Sequence, residues 1–123
     1  MSEPRTRLVV KVTSGVEALE RLNQAFTVAA TAAASGVEVS LWLTGEASWL
    51  AVPGRAEQVS LPYAAELAEL RDAVLAAGTL TVCGQCAARR GLEVADLVEG
   101  TTVRGAAAFV EEVMAPGAQA LVY

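Results

Sequence analysis

Short β-rich runs alternate with amphipathic stretches along this chain. Residues 8–12 (LVVKV) form an apolar run of strand length, closed by Thr13-Ser14-Gly15. From Glu17 to Ser35, apolar side chains recur at Leu19, Leu22, Phe26, Ala29 and Ala33, one stripe of an amphipathic helix. Ser14 and Glu17 have the spacing of a capping box at its start, and Gly36 is placed to stop it. Residues 37–43 (VEVSLWL) nearly alternate and predict a second strand. Residues 44–52 read as one or two helical turns before the Pro53-Gly54 turn, and 55–61 show no clear period. Pro62 is suited to open the next helix, with Leu67, Leu70 and Val74 on one face and Gly78 at its end. A third strand, 79–82, runs into a short helical segment from near Gln85 to Gly91. After an irregular or briefly helical passage, a fourth strand is expected over 100–103. A helix over 105–114 should bury Phe109, Val110 and Val113, and a fifth strand over 118–123 ends the chain.

Strands alternating with helices predict a mostly parallel sheet covered on both faces. The expected fold class is α/β: a small three-layer α/β/α domain around a five-stranded sheet, with residues 1–123 as a single domain. Ligands of such sheets bind beyond the carboxyl ends of the strands, near a switch in strand order. Those ends are residues 13–15, 44–46, 83–86 and 103–105, with Tyr123 on the same rim.

Composition narrows the function. The net charge is −5, Lys11 is the only lysine, and no basic cluster exceeds Arg89-Arg90. A nucleic-acid binder needs a positive stripe to track the phosphates, so no nucleic-acid partner is expected. No apolar run reaches the roughly 18 residues of a membrane span. The N-terminus leads into a strand without signal-peptide architecture, so no membrane partner and a cytoplasmic location are expected. The absence of histidine excludes a serine–histidine triad and makes Ser14 a cap rather than a nucleophile.

Both cysteines fall in one C-x-x-C segment, Cys83-Gly-Gln-Cys86. A disulfide there closes too short a loop to stabilise the fold, so redox, persulfide or metal chemistry is the better reading. A structural zinc or iron–sulfur centre takes about four protein ligands. Two cysteines and no histidine would leave the rest to carboxylates or a second subunit, so no metal and no other cofactor is expected. A thioredoxin-like exchange motif normally follows an early strand, whereas this one follows the third. Packed thiols without chemistry form a further reading. Cys83 stands just before a helix start, where unpaired backbone N–H groups favour a thiolate or a persulfide anion. Cys86, one turn on, is placed to act as a resolving thiol, and Arg90 shares its helix face. Pocket or anion-binding candidates are Ser14, Gln85, Arg90 and Arg104. Glu46 reads as a proton- or amine-positioning group or a helix cap, and Trp49 as a pocket wall, a subunit contact or a core ring.

With these residues in view, the chain resembles the DsrE/DsrF-like family. The likeness runs through LVVKVTSG, AAASGVEV, LWLTGE, VCGQCAARRG, GTTVRGA and ALVY, motifs that are weak singly and fairly specific in their order. The resemblance implies an α/β/α fold. It implies that Cys83, by its spacing before Arg90-Gly91, is the persulfide-carrying cysteine, with Cys86 as the second cysteine of some members. Thr44, Gly45, Glu46 and Trp49 would then line the sulfur pocket. It further implies a homo-oligomer, trimer or hexamer, or assembly with sister subunits, and a sulfur donor or acceptor protein as partner. The expected function is a cytoplasmic sulfur carrier. The alternatives are an oligomeric small-molecule-binding module and a dithiol–disulfide regulator.

Overall fold

A computed structural model describes residues 4–123; residues 1–3, on which part of the expectation about the N-terminus falls, lie outside the described residues. The strands are β1 (Arg7–Val12), β2 (Glu38–Leu43), β3 (Thr79–Cys83), β4 (Thr102–Arg104) and β5 (Ala118–Val122). The α-helices are α1 (Leu19–Ala34), α2 (Leu67–Ala77), α3 (Gly84–Arg89) and α4 (Ala106–Val113). All neighbouring strands pair in parallel, in the order β4-β3-β2-β1-β5. This is the expected three-layer α/β/α arrangement around a five-stranded sheet.

The chain steps outward from β1 through β2 and β3 to β4, then crosses the whole sheet to β5. Right-handed crossovers put helices of opposite stepping direction on opposite faces. Accordingly Leu22 and Phe26 of α1 and Leu67 and Val74 of α2 pack with Val10, Leu41, Leu80 and Val82 in one core. Phe109 of α4 instead meets Trp42 on the other face, ring edge to ring face at 5.3 Å.

Strand pleating sorts side chains between these faces. The register pairs Arg7 with Glu38, Ser40 with Thr79, Thr81 with Thr102, and Cys83 with Arg104. All of these fall on the α4 side, whereas Val39, Leu41 and Leu43 face α1 and α2. The α4 face is thus largely polar, and α4 is eight residues long.

Three local expectations need correction. Ser14 caps nothing: a 3-10 helix, Val16–Ala18, precedes α1, and the Glu17 carboxylate accepts the Gly15 N–H at 2.7 Å. The second helix starts at Leu67, not Pro62. Leu61 O accepts from Ala64 N at 3.3 Å, with Tyr63 at φ 62°, so Pro62 holds the second position of a tight turn. Proline there and a positive φ next are the marks of a type II turn. In α4 no residue is fully buried, and Val110 is 54% exposed, because that helix has only the sheet beneath it.

Candidate functional site

The helices after β3 and β4 leave the sheet on opposite faces, so the crevice between these strand ends is the switch point. Cys83 and Arg104 stand across it in register. Cys83 is the last residue of β3 and the N-cap of α3, in extended conformation. Its thiol is partly exposed and unpaired in a disulfide. Burial pushes its pKa up, but the backbone N–H groups of Cys86 and Gln85, the Cys86 thiol and the charge of Lys11 together hold it below the ordinary value. Because α3 has only six residues, the effect belongs to these local donors and not to a long helix dipole.

Cys86, one turn on, is 8% exposed. Its Sγ accepts the Gly45 N–H at 3.2 Å. Gly45 sits at φ 54°, and a Cβ there would lie 2.6 Å from the Thr13 carbonyl oxygen. The loop after β1 and the loop after β2 are therefore locked together, and only glycine lets the N–H reach the sulfur. Thr44 completes the lock: its Oγ1 donates to Val12 O at 3.2 Å and its N–H to the same oxygen at 3.0 Å.

Glu46 opens the 3-10 helix Gly45–Ala51, but it makes no cap. Its Oε2 accepts Nη2 of Arg90 at 2.8 Å and Nε at 3.1 Å. The Arg90 hydrogen bond, foremost, holds the Glu46 carboxyl below the usual carboxylate range. Nη1 of Arg90 donates to Cys86 O at 3.0 Å, so this arginine ties the end of α3 to the loop after β2. Thr44, Gly45, Glu46, Cys83, Cys86 and Arg90 thus form one cluster, and Gln85 is exposed on the first turn of α3.

The other candidates fall outside this cluster, with Trp49 at its margin beside Glu46. Trp49 and Glu46 line a cavity of about 400 Å³ with Val16, Leu50, Arg55 and Val59, and neither cysteine lines it. Arg55 stacks over the Trp49 ring at 4.8 Å. Ser14 is buried with an unpartnered hydroxyl. Arg104 turns back along the sheet, where Nη2 meets Thr81 Oγ1 at 2.9 Å and Glu112 at 2.7 Å, and its guanidinium covers the Trp42 ring at 5.0 Å.

Sequence reasoning missed Lys11, Arg55 and Glu112. Lys11 carried a signal, as the only lysine and next to last in β1; Arg55 lay in the stretch without a period. Among the described residues, no group of three or more Cys, Asp or Glu converges to hold a metal, and no helix is long and apolar enough to cross a membrane.

Comparison with known proteins agrees with this fold. The model of the DsrE/DsrF-like family matches residues 6–118. The uncharacterized protein MJ0989 of Methanocaldococcus jannaschii is 31% identical over 109 residues, covering 86% of this chain and 93% of that protein. Two solved structures are similar in fold at 12% identity. The ychN protein of E. coli has a TM-score of 0.69, with 97% of this chain and 99% of that one covered. MTH1491, a protein of unknown function from Methanobacterium thermoautotrophicum, has a TM-score of 0.70, with 95% and 98% covered.

Proposed function

The chain belongs to the DsrE/DsrF-like family, and on that premise we propose that it carries sulfane sulfur as a persulfide on Cys83. The observation that carries this reading is the asymmetry of the two thiols. Cys83 is partly exposed with its pKa lowered, while Cys86 is buried one turn away with its sulfur already held by Gly45. In loading, the Cys83 thiolate attacks the outer sulfur of a donor persulfide. The new S–S bond forms on Cys83, the donor's S–S bond breaks, and the donor leaves as a thiolate. An acceptor thiolate reverses the step and restores Cys83. Alternatively the Cys86 thiolate attacks the inner sulfur, hydrosulfide leaves, and a Cys83–Cys86 disulfide remains, which a dithiol reductant resets with two electrons.

The same reading treats residues 1–123 as one domain in a reducing, cytoplasmic setting, exchanging sulfur with a donor or acceptor protein. It assigns Thr44, Gly45, Glu46, Gln85 and Arg90 to the surroundings of the thiols. A homo-oligomer, trimer or hexamer, or an assembly with sister subunits is part of it. The exposure of Val110, Met114 and Val122 around α4 and β5 supports such a contact.

Intact-mass analysis of reduced protein treated with a persulfide donor tests the reading. A gain of about 32 Da mapped to Cys83, reversed by reductant and absent in Cys83→Ser, is the expected result. Loading that survives in Cys83→Ser would sink it. A loss of about 2 Da across both cysteines without loading points to a dithiol regulator. The cavity beside Trp49, which neither cysteine lines, favours the second reading of a small-molecule-binding module. Inert thiols together with a ligand copurifying in that cavity would establish it.

A further inference from the structure

A second cavity, distinct from the one beside Trp49, has neither cysteine in its lining. It lies on the α4 side of the sheet, holds about 630 Å³, and its walls include Arg7, Glu38, Ser40, Thr79, Arg104 and Glu112. That volume falls within the range of small-molecule sites. Strand pleating explains the floor. Ser40 pairs in register with Thr79, and Thr102 with Thr81, so hydroxyls from β2, β3 and β4 lie side by side. A parallel sheet is ordinarily apolar on both faces. Here one face carries hydroxyls and charges where a helix would demand aliphatic side chains, and α4 leaves it open.

Charges of both signs line the cavity. Arg7 meets Glu38 at 2.8 Å, and Arg104 meets Glu112 at 2.7 Å. The lining is therefore neutral overall but locally polarised at each pair. Ser40 supplies a separate observation: it is 6% exposed, lines the cavity, and its Oγ has no hydrogen-bond partner. It approaches Glu112 closely enough to help hold that carboxylate's charge, but not in hydrogen-bond geometry. Buried hydroxyls normally find a partner, and an unpaired one on a cavity wall marks a place for a ligand's polar atom. Nε of Arg104 is likewise buried and unpartnered.

We propose that this cavity binds a small zwitterion with the chemistry of a free α-amino acid, its carboxylate held by arginine and its ammonium by glutamate. A purely anionic ligand would meet two carboxylates, and a purely cationic one two guanidiniums. A molecule carrying both charges exchanges with each ion pair and offers Ser40 its missing partner. The proposal is independent of the sulfur chemistry.

The test is two-dimensional NMR of the full-length protein titrated with a panel of free L-amino acids to about 10 mM, with propionate and ethylamine as singly charged controls. Shifts at the amides of Ser40, Gly78 and Thr79 with at least one amino acid, absent with the controls, are expected. Ser40→Ala should weaken that binding about tenfold, whereas Cys83→Ser should leave it unchanged. No shift at these amides with any amino acid would overturn the proposal. So would equal binding of the controls. Because the shifts are read on the native chain, a misfolded variant cannot mask the outcome.

Discussion

The two faces of the sheet are built on different principles, and the two cysteines divide between them. On the α1 and α2 side, Val10, Leu41, Leu43, Leu80 and Val82 are sealed under Phe26, Leu67 and Val74. Cys86 belongs to that side: its neighbour Ala87 is in the core, and its sulfur is held by Gly45. On the α4 side, Trp42 is the one large fully buried ring, and it is held by polar contacts. Its Nε1 donates to Glu112 at 3.1 Å, Arg104 lies over its face, and Phe109 packs against it with the two rings nearly perpendicular. Cys83 ends its strand on that side, opposite Arg104. Burial stabilises the first face without direction. The second depends on a few directed contacts, which leave a cavity and a partly exposed thiol.

The largest effect should come from the sealed face. Leu41→Ala is expected to cost about 2–5 kcal/mol, from lost transfer energy and the cavity left behind. Thr79→Ala, on the open face, should stay within about 0.5 kcal/mol. Urea unfolding of both variants measures the contrast, and equal losses would abolish the distinction.

Next in size is the link between loop and thiol. Gly45→Ala forces a left-handed φ on a residue with a Cβ, a cost of about 1–2 kcal/mol, and drives that Cβ against Thr13 O. Lower stability together with faster alkylation of Cys86 is expected, since its sulfur loses the N–H donor. Stability loss with Cys86 still protected would mean that burial alone shields it.

Native Cys83 should react with iodoacetamide about tenfold or more faster than Cys86 near neutral pH, following thiolate fraction and access. The pH midpoint for Cys83 should lie below the roughly 8.5 of an ordinary thiol. In denaturant the two rates should converge. Matching rates in the native state would break the comparison at its functional point.

The smallest effect concerns Glu112, the hinge of the open face. Burial raises its pKa, but the Ser40 hydroxyl, the Trp42 indole and Arg104 outweigh that and hold it below its ordinary value of 4.5. A lowered folded-state pKa contributes stability that is fully present above the unfolded value and is lost as pH falls through the folded one. Glu112→Gln should therefore be less stable than wild type at neutral pH, with the difference shrinking below about pH 4.5. Thermal unfolding across that range reads it. Glu46 and Glu57, also lowered, by Arg90 and Arg71 respectively, keep an acid-dependent loss common to both proteins.

Much of the candidate site was legible because it follows the strand ends. Once Cys83 is placed at the end of a strand and the start of a helix, its access to backbone donors follows from backbone geometry alone. Arg104 illustrates the opposite case. Its position at the rim was legible, but its side chain lies back along the sheet because Trp42, Thr81 and Glu112 offer it partners there. Pro62 shows how one residue type serves two local structures: it suits a helix start, yet here it sets a turn whose next residue, Tyr63, takes a positive φ.

The order of β-rich runs, helical stripes and intervening glycines was enough to determine a parallel α/β sheet and a thiol-bearing rim. The strands, helices and turns that make up this order each depend on interactions between residues close in the chain. The near-alternation of residues 37–43 also held the hint of a half-polar face. Only the tertiary structure decided that β1 lies inside the sheet, that the switch falls between β3 and β4, and that one short helix guards the second face. It also brought Gly45 to Cys86 across 41 positions and Glu46 to Arg90 across 44. Such pairings depend on which loops the crossovers set side by side, and no local period encodes that.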